Sequence, residues 1–176
     1  MNKDRRKIGI NNKRKGNNCE RKYRLIFRDL GFTHCETSRY ASKLLDACKI
    51  DLVNLPFNLQ IKAGKQKNMN PGKELSLMFV AISENLTEEF KSLPCFLLHE
   101  KEVLRGKRRT EDDTIVYFSL KQFNEFKDID KNLVFQNLKV TKSKINLEFK
   151  SIVSVSFQYF ITNILPIIIK NGNRNR

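Results

Sequence analysis

The chain has 176 residues, with 34 Lys+Arg against 19 Asp+Glu and a net charge of +15. That length allows one well-cored domain and excludes two comfortable ones. Forty percent apolar residues and 13 phenylalanines exclude a disordered chain, and the cationic excess favours a polyanionic partner, nucleic acid first and an anionic membrane surface second.

Residues 1–16, MNKDRRKIGINNKRKG, are polar and basic and read as a flexible arm. They lack the apolar core of a signal peptide, so the expected location is cytoplasmic. Asn17 or Asn18 can cap a helix on which Tyr23, Leu25, Ile26 and Leu30 recur at helical spacing, with Gly31 ending it. Phe32 to Thr37 is a short strand candidate, and "SRYASKLLDACK" reads as a loop or helical turn. Ile50 to Asn54 is a strand and Leu55-Pro56 a turn. Phe57 to Ala63 is a second strand, with Phe57, Leu59 and Ile61 alternating against Asn58, Gln60 and Lys62.

The basic loop "AGKQKNMNPGKE" leads into a helix from Asn70-Pro71, with Leu75, Met78, Phe79, Ile82 and Leu86 on one face. Phe96 to His99 and Ile115 to Ser119 are further strands, joined by the charged excursion "EKEVLRGKRRTEDD". A short helix, Leu120 to Phe126, follows with Phe123 and Phe126. The expected class is α/β, a central mixed sheet flanked by helices. From Ser151 to Ile169 there are 19 uncharged residues, close to membrane-spanning length. Polar residues and Pro166 interrupt that stretch and "INLEFKSIVSVSF" alternates as a strand does, so a buried tail or dimer contact is expected over a membrane anchor.

The cysteines, Cys19, Cys35, Cys48 and Cys95, form no CxxC pair, and with His34 and His99 they make a poor zinc set. They read as reduced packing residues. The chemistry is elsewhere. Period-two geometry puts Gln60 and Lys62 side by side on one strand face, and Asp51 comes opposite them if the strands pair across Leu55-Pro56. Glu20 is an acid in an otherwise basic neighbourhood. Two carboxylates and an amide oxygen are hard ligands suited to Mg²⁺ or Mn²⁺, and a nearby ammonium can orient a water or stabilise a pentavalent phosphate. Simpler roles stand beside these. Asp51 can cap a strand end or pair with Lys62 as an ordinary ion pair, Glu20 suits a helix first turn, and His99, ending an apolar strand, reads as a surface or satisfied residue rather than a base.

Three basic stretches suit phosphate backbones. The first 24 residues hold 10 Lys/Arg, among them Arg14 and Lys15, against 2 acids. Residues 62–73 hold four lysines, including Lys65 and Lys67, and no acid. Arg105, Lys107, Arg108 and Arg109 lie in the long strand connection. Contacts of this kind neutralise phosphates without reading bases, which implies structure-selective binding.

"NCERKYRLIFRDLGF", "SRYASKLLDACKIDLV" and "FNLQIKAG", in that order, resemble the PD-(D/E)xK nuclease superfamily and within it the Holliday-junction resolvases of phages and archaea. The resemblance runs over roughly residues 14–127 and leaves the last 49 uncovered. It implies a restriction-endonuclease-like core (αβββαβ) with Glu20, Asp51, Gln60 and Lys62 as the catalytic set, the first three holding Mg²⁺ or Mn²⁺. Arg39 and Ser42 fit the positions of an Arg and Ser that precede the Asp in such resolvases, as phosphate contacts or as loop hydrogen-bonders, and Asp46 fits less well. Gln60 departs from the pattern, which has Glu or Asp there, and its neutral amide weakens the expected metal site.

The implied organisation is an arm over 1–16, a nuclease-like core over 17–127 and a C-terminal extension over 128–176. The implied function is a metal-dependent endonuclease that resolves Holliday junctions or related branched DNA, acting as a homodimer with no small-molecule substrate. The alternatives are a catalytically silent nucleic-acid-binding protein of the same fold, and a membrane-associated basic protein.

Overall fold

The computed structural model describes residues 2–65, 69–103, 106, 108–110, 113–131, 133, 139–142 and 151–172. Helix α1, Asn2–Asp29, opens the chain. The segment expected to be a flexible arm is therefore helical. Its lysines and arginines are good helix formers and no proline interrupts it, so Asn17 and Asn18 lie inside the helix rather than at its cap. Gly31, at φ +101°, ends it as expected: the left-handed backbone lets the Gly31 and Phe32 amides bond back to the Arg28 and Phe27 carbonyls.

Strand β1, Glu36–Thr37, is shorter than the six residues anticipated. Two short helices follow, α2 (Ser38–Ala41) and α3 (Lys43–Ala47), then β2 (Leu52–Val53) and β3 (Asn58–Gly64). Helix α4, Pro71–Asn85, starts where predicted, with Asn70 Oδ1 accepting from the Lys73 amide at 3.1 Å and Pro71 in the first turn. After α5 (Glu88–Lys91) come β4 (Cys95–Lys101), β5 (Thr114–Ser119) and α6 (Leu120–Ile129). Strands β6 (Lys139–Lys142) and β7 (Ser151–Ser156) precede a helical end made of α7 (Phe157–Tyr159), a π-helical stretch (Phe160–Ile164) and α8 (Leu165–Gly172). Pro166 has no amide to donate and its ring would crowd the preceding turn, so the wider π turn accommodates it.

The sheet order is β1-β2-β3-β4-β5-β7-β6. The pair β3–β4 is parallel, with α4 and α5 in the crossover, and every other pair is antiparallel. This is a mixed sheet covered by helices, the α/β class expected. The expected boundary after residue 127 has no counterpart in the sheet, because β7 pairs along β5 from Ile115↔Ser156 to Ser119↔Ile152. The uncharged stretch supplies that strand and the closing helices, and among the described residues no helix is long and apolar enough to cross a membrane.

Strand alternation feeds two cores. On one side, Cys19, Tyr23 and Phe27 of α1 pack with Leu59, Ile61, Phe96, Leu98, Phe118 and the C-terminal Phe160 and Ile164. On the other, Leu75, Met78 and Ile82 of α4 pack with Leu45, Cys48, Ile50, Leu97 and Tyr117. The first is rich in edge-to-face aromatic pairs, such as Phe57–Phe96 at 5.4 Å and Phe96–Phe160 at 4.9 Å. All four cysteines are buried and free, consistent with packing roles.

Candidate metal centre and its basic surroundings

Because Leu59 and Ile61 turn toward α1, Asn58, Gln60 and Lys62 turn toward α4. Asn58 there caps the α5 end of the crossover, its amide donating to the Phe90 carbonyl at 2.8 Å. Gln60 is 3% exposed. β2 meets β3 at Leu52↔Leu59, and Asp51, one residue ahead of β2, lies against the same Leu59 and against Ile61 rather than in a ladder pair with Gln60. Asp51 is bound on both sides of its backbone: its amide donates to the Leu59 carbonyl at 2.8 Å and its carbonyl accepts from the Ser38 amide at 3.0 Å. Its Oδ2 accepts from the Ile61 amide at 2.6 Å, so the carboxylate stands where β2 would otherwise continue the ladder.

A residue absent from the sequence reading completes this side. Glu74, in the first turn of α4, lies with Oε2 at 3.2 Å from Lys62 Nζ and 3.5 Å from Gln60 Nε2. Its one sequence signal, an acid at a helix N-terminus, is already explained by the helix dipole, so only the crossover packing reveals it. With the Gln60 amide turned to Glu74, Gln60 Oε1 is buried and accepts no hydrogen bond. A buried acceptor without a donor is costly and uncommon.

Glu20 approaches from α1 and is 5% exposed. Its Oε1 accepts from Arg39 Nη2 at 2.8 Å. Arg39 also bonds Asn17 and lies 3.6 Å from Asp46 Oδ1, making it the hub between α1, α2 and α3. Ser42 serves as the N-cap of α3, its Oγ accepting from the Leu45 amide at 3.3 Å, the loop hydrogen-bonding role of the two anticipated.

The electrostatics tie these groups together. Burial pushes the Asp51 carboxyl up to about 7, against the Ile61 hydrogen bond; the Glu20 charge raises it further, while Lys62 and Arg39 lower it. Burial also raises Glu20, with Arg39 opposing. Asp51 thus senses Glu20 and Arg39 from α1 and α2, and Lys62 from β3. Direct contacts form two groups, Glu20–Arg39–Asp46 and Gln60–Lys62–Glu74, with Asp51 coupled to both.

Among the described residues no three His, Cys, Asp or Glu side chains form a metal-binding group. The oxygen donors here are instead mixed: the Asp51 carboxylate, the orphaned Gln60 Oε1 and the Glu74 carboxylate. They are hard ligands of the kind Mg²⁺ and Mn²⁺ prefer, and the buried Gln60 oxygen has no hydrogen-bond donor among the described residues. His99, paired in register with Lys62, is buried, with Nε2 at 3.1 Å from the Gly64 carbonyl, and burial lowers its pKa. Of the surface and satisfied roles anticipated, its burial within β4 leaves the second, and the strand runs two residues past it.

Of the basic side chains, Arg14, Lys65 and Arg108 are exposed. Lys15 pairs with Glu102 at 3.1 Å, and Arg109 with Glu100 at 3.3 Å. Lys67, Arg105 and Lys107 lie outside the described residues. Glu100 is held ionised despite burial, by Lys22 and Tyr23 hydrogen bonds and the Arg109 charge. Comparison with protein-family models, with curated proteins and with solved structures finds no match to this chain.

Proposed function

We propose that the chain is a divalent-metal-dependent endonuclease acting on branched DNA, with a restriction-endonuclease-like core. The observation that carries the reading is the buried, unpartnered Gln60 oxygen on the strand where Lys62 and Gln60 meet Glu74 and the Ile61 amide holds the Asp51 carboxylate. Asp51, Gln60 and Glu74 would hold Mg²⁺ or Mn²⁺, and Glu20 would join them once Arg39 lets it go. The ion, when bound, supplies polarisation of the scissile phosphate and a lower pKa for the attacking water.

The chain's own groups do the rest. Asp51 must be ionised to bind, and the Ile61 amide holds its carboxylate in place. Lys62, carried on the rigid β3, presents its ammonium where it can orient the water or take up phosphate charge. Arg39, paired with Glu20 at 2.8 Å, would engage a phosphate in exchange for it. The exposed basic side chains hold the backbone without reading sequence. As a dimer, two centres related by a twofold could cut two strands of a junction. Action on DNA with reduced cysteines suits the cytoplasm.

A second reading, a silent DNA-binding module, is favoured by one observation: Gln60 is neutral and Glu20 is neutralised by Arg39, which leaves little free negative charge to attract a cation. Synthetic four-way junction and linear duplex, each incubated with the protein and Mg²⁺ or Mn²⁺, decide between the two. The nuclease reading expects junction cleavage, reduced at least about a hundredfold in Lys62→Ala. Metal-independent binding with no product in the intact protein establishes the module instead.

A further inference from the structure

Among the described residues Tyr40 is the most exposed large apolar side chain, at 73%. Its position explains little about folding and much about a surface. Its neighbour Arg39 reaches inward to Glu20 at 2.8 Å, and the Tyr40 hydroxyl accepts from Arg21 Nη2 at 3.3 Å. Two successive rungs, Glu20–Arg39 and Arg21–Tyr40, therefore cross-link α1 to α2. The inner rung belongs to the candidate centre and the outer one to the surface beside it. Tethered at its hydroxyl end and otherwise open to solvent, the Tyr40 ring stands as a flat plate.

A surface cavity of about 370 Å³ adjoins the ring, lined by Arg24, Glu36, Tyr40 and Ala41. Glu36 is neutralised there by Arg24 at 2.8 Å and Arg28 at 3.0 Å, so it does not repel a polyanion. Arg24 Nε is a buried N–H with no acceptor. An aromatic plane beside a cavity lined in part by guanidinium charge is the chemistry that takes a nucleobase. The plane stacks on the base and the cations meet the flanking phosphate. A base inside a continuous duplex offers no face to such a plate; an unstacked base at a branch point does.

We propose that Tyr40 and Arg24 form a stacking subsite for an unpaired DNA base beside the candidate centre, and that this subsite discriminates branched from continuous DNA. The inference rests on the DNA-binding half of the function proposed above. The basic surface attracts both forms alike, whereas stacking on an aromatic side chain adds roughly 5- to 150-fold for a base that can reach it.

The test is run in EDTA, where no cleavage occurs, with a branched oligonucleotide carrying one unpaired 2-aminopurine and a matched duplex of the same sequence. Tyr40→Ala is expected to weaken binding of the branched probe about tenfold and of the duplex less than about twofold. Tyr40→Phe keeps the ring and retains most of the preference. The chain has no tryptophan, so Tyr40→Trp installs a single reporter, whose emission the branched probe should quench and the duplex should not. Equal losses on the two probes, no quenching, or no binding of either probe overturns the inference. A protein that cuts nothing yet shows the differential loss keeps this inference and forfeits the nuclease reading. One that cuts junctions while Tyr40→Ala binds both probes like the intact chain forfeits only this inference.

Discussion

Asp51 holds its proton up to about pH 7, and that proton links stability to the candidate chemistry. Its folded pKa is raised from 3.8, so its contribution to stability is full below that value and lost as pH rises through about 7. Above pH 7 the fold carries an ionised carboxylate in a half-buried, desolvated position. Asp51→Asn keeps the acceptor for the Ile61 amide and removes the charge. At pH 8 the variant should melt about 2–4 °C above the parent, a gain of about 1 kcal/mol, with the difference vanishing near pH 4. Calorimetric scans across that range check it, and a variant melting lower at pH 8 contradicts the assignment of a strained carboxylate. Gln60→Glu tests the neighbouring donor. It sets a second carboxylate beside Glu74, so the melting temperature should fall by several degrees in EDTA and recover in millimolar Mg²⁺. The same melting point in both buffers would leave that oxygen without a role in cation binding.

At the scale of elements, β7 and the helices after it are structural members of the sheet and core. Ile152, Val153, Val155, Phe160, Ile164, Leu165, Ile167 and Ile168 are all buried. At about 1.5–3 kcal/mol each, their burial exceeds about 10 kcal/mol, comparable with the whole net stability of a domain. Deleting residues 151–176 would also bare the β5 edge. The truncated chain should be insoluble or lack cooperative melting. A soluble truncation with a sharp transition would show instead that residues 1–150 fold without β7 and the closing helices.

For the whole molecule, charge sets the affinity scale. A net charge of +15, more than half of it on α1, where 11 Lys/Arg face 3 acids, suits several phosphates at once. Neutralising about five phosphates lowers DNA affinity about 500-fold between 50 and 200 mM salt. Titrating the binding constant against salt measures that slope, and a nearly flat response rules out a backbone-led interface.

The sequence by itself determined the elements with strong local codes. Asn70-Pro71 opens α4 because cap chemistry is local, Gly31 closes α1 because only glycine accepts that backbone cheaply, and period two placed Gln60 and Lys62 on one face. The antiparallel return of β2 onto β3, which brings Asp51 to that strand, was legible because a short turn leaves few registers. Other features depend on contacts between distant segments, which no local pattern encodes. Residues 2–16 looked like an arm because charge dominates their composition, while backbone propensity was sufficient for helix. Pairing with β5, fixed far upstream, decided that the uncharged C-terminal run becomes a strand and closing helices. Glu74 entered the candidate centre because the crossover folds α4 back over β3, and Arg39 met Glu20 because α2 packs on α1. Tertiary structure decided which charges are neighbours, since Coulomb energy and burial depend on distance through space rather than on separation along the chain.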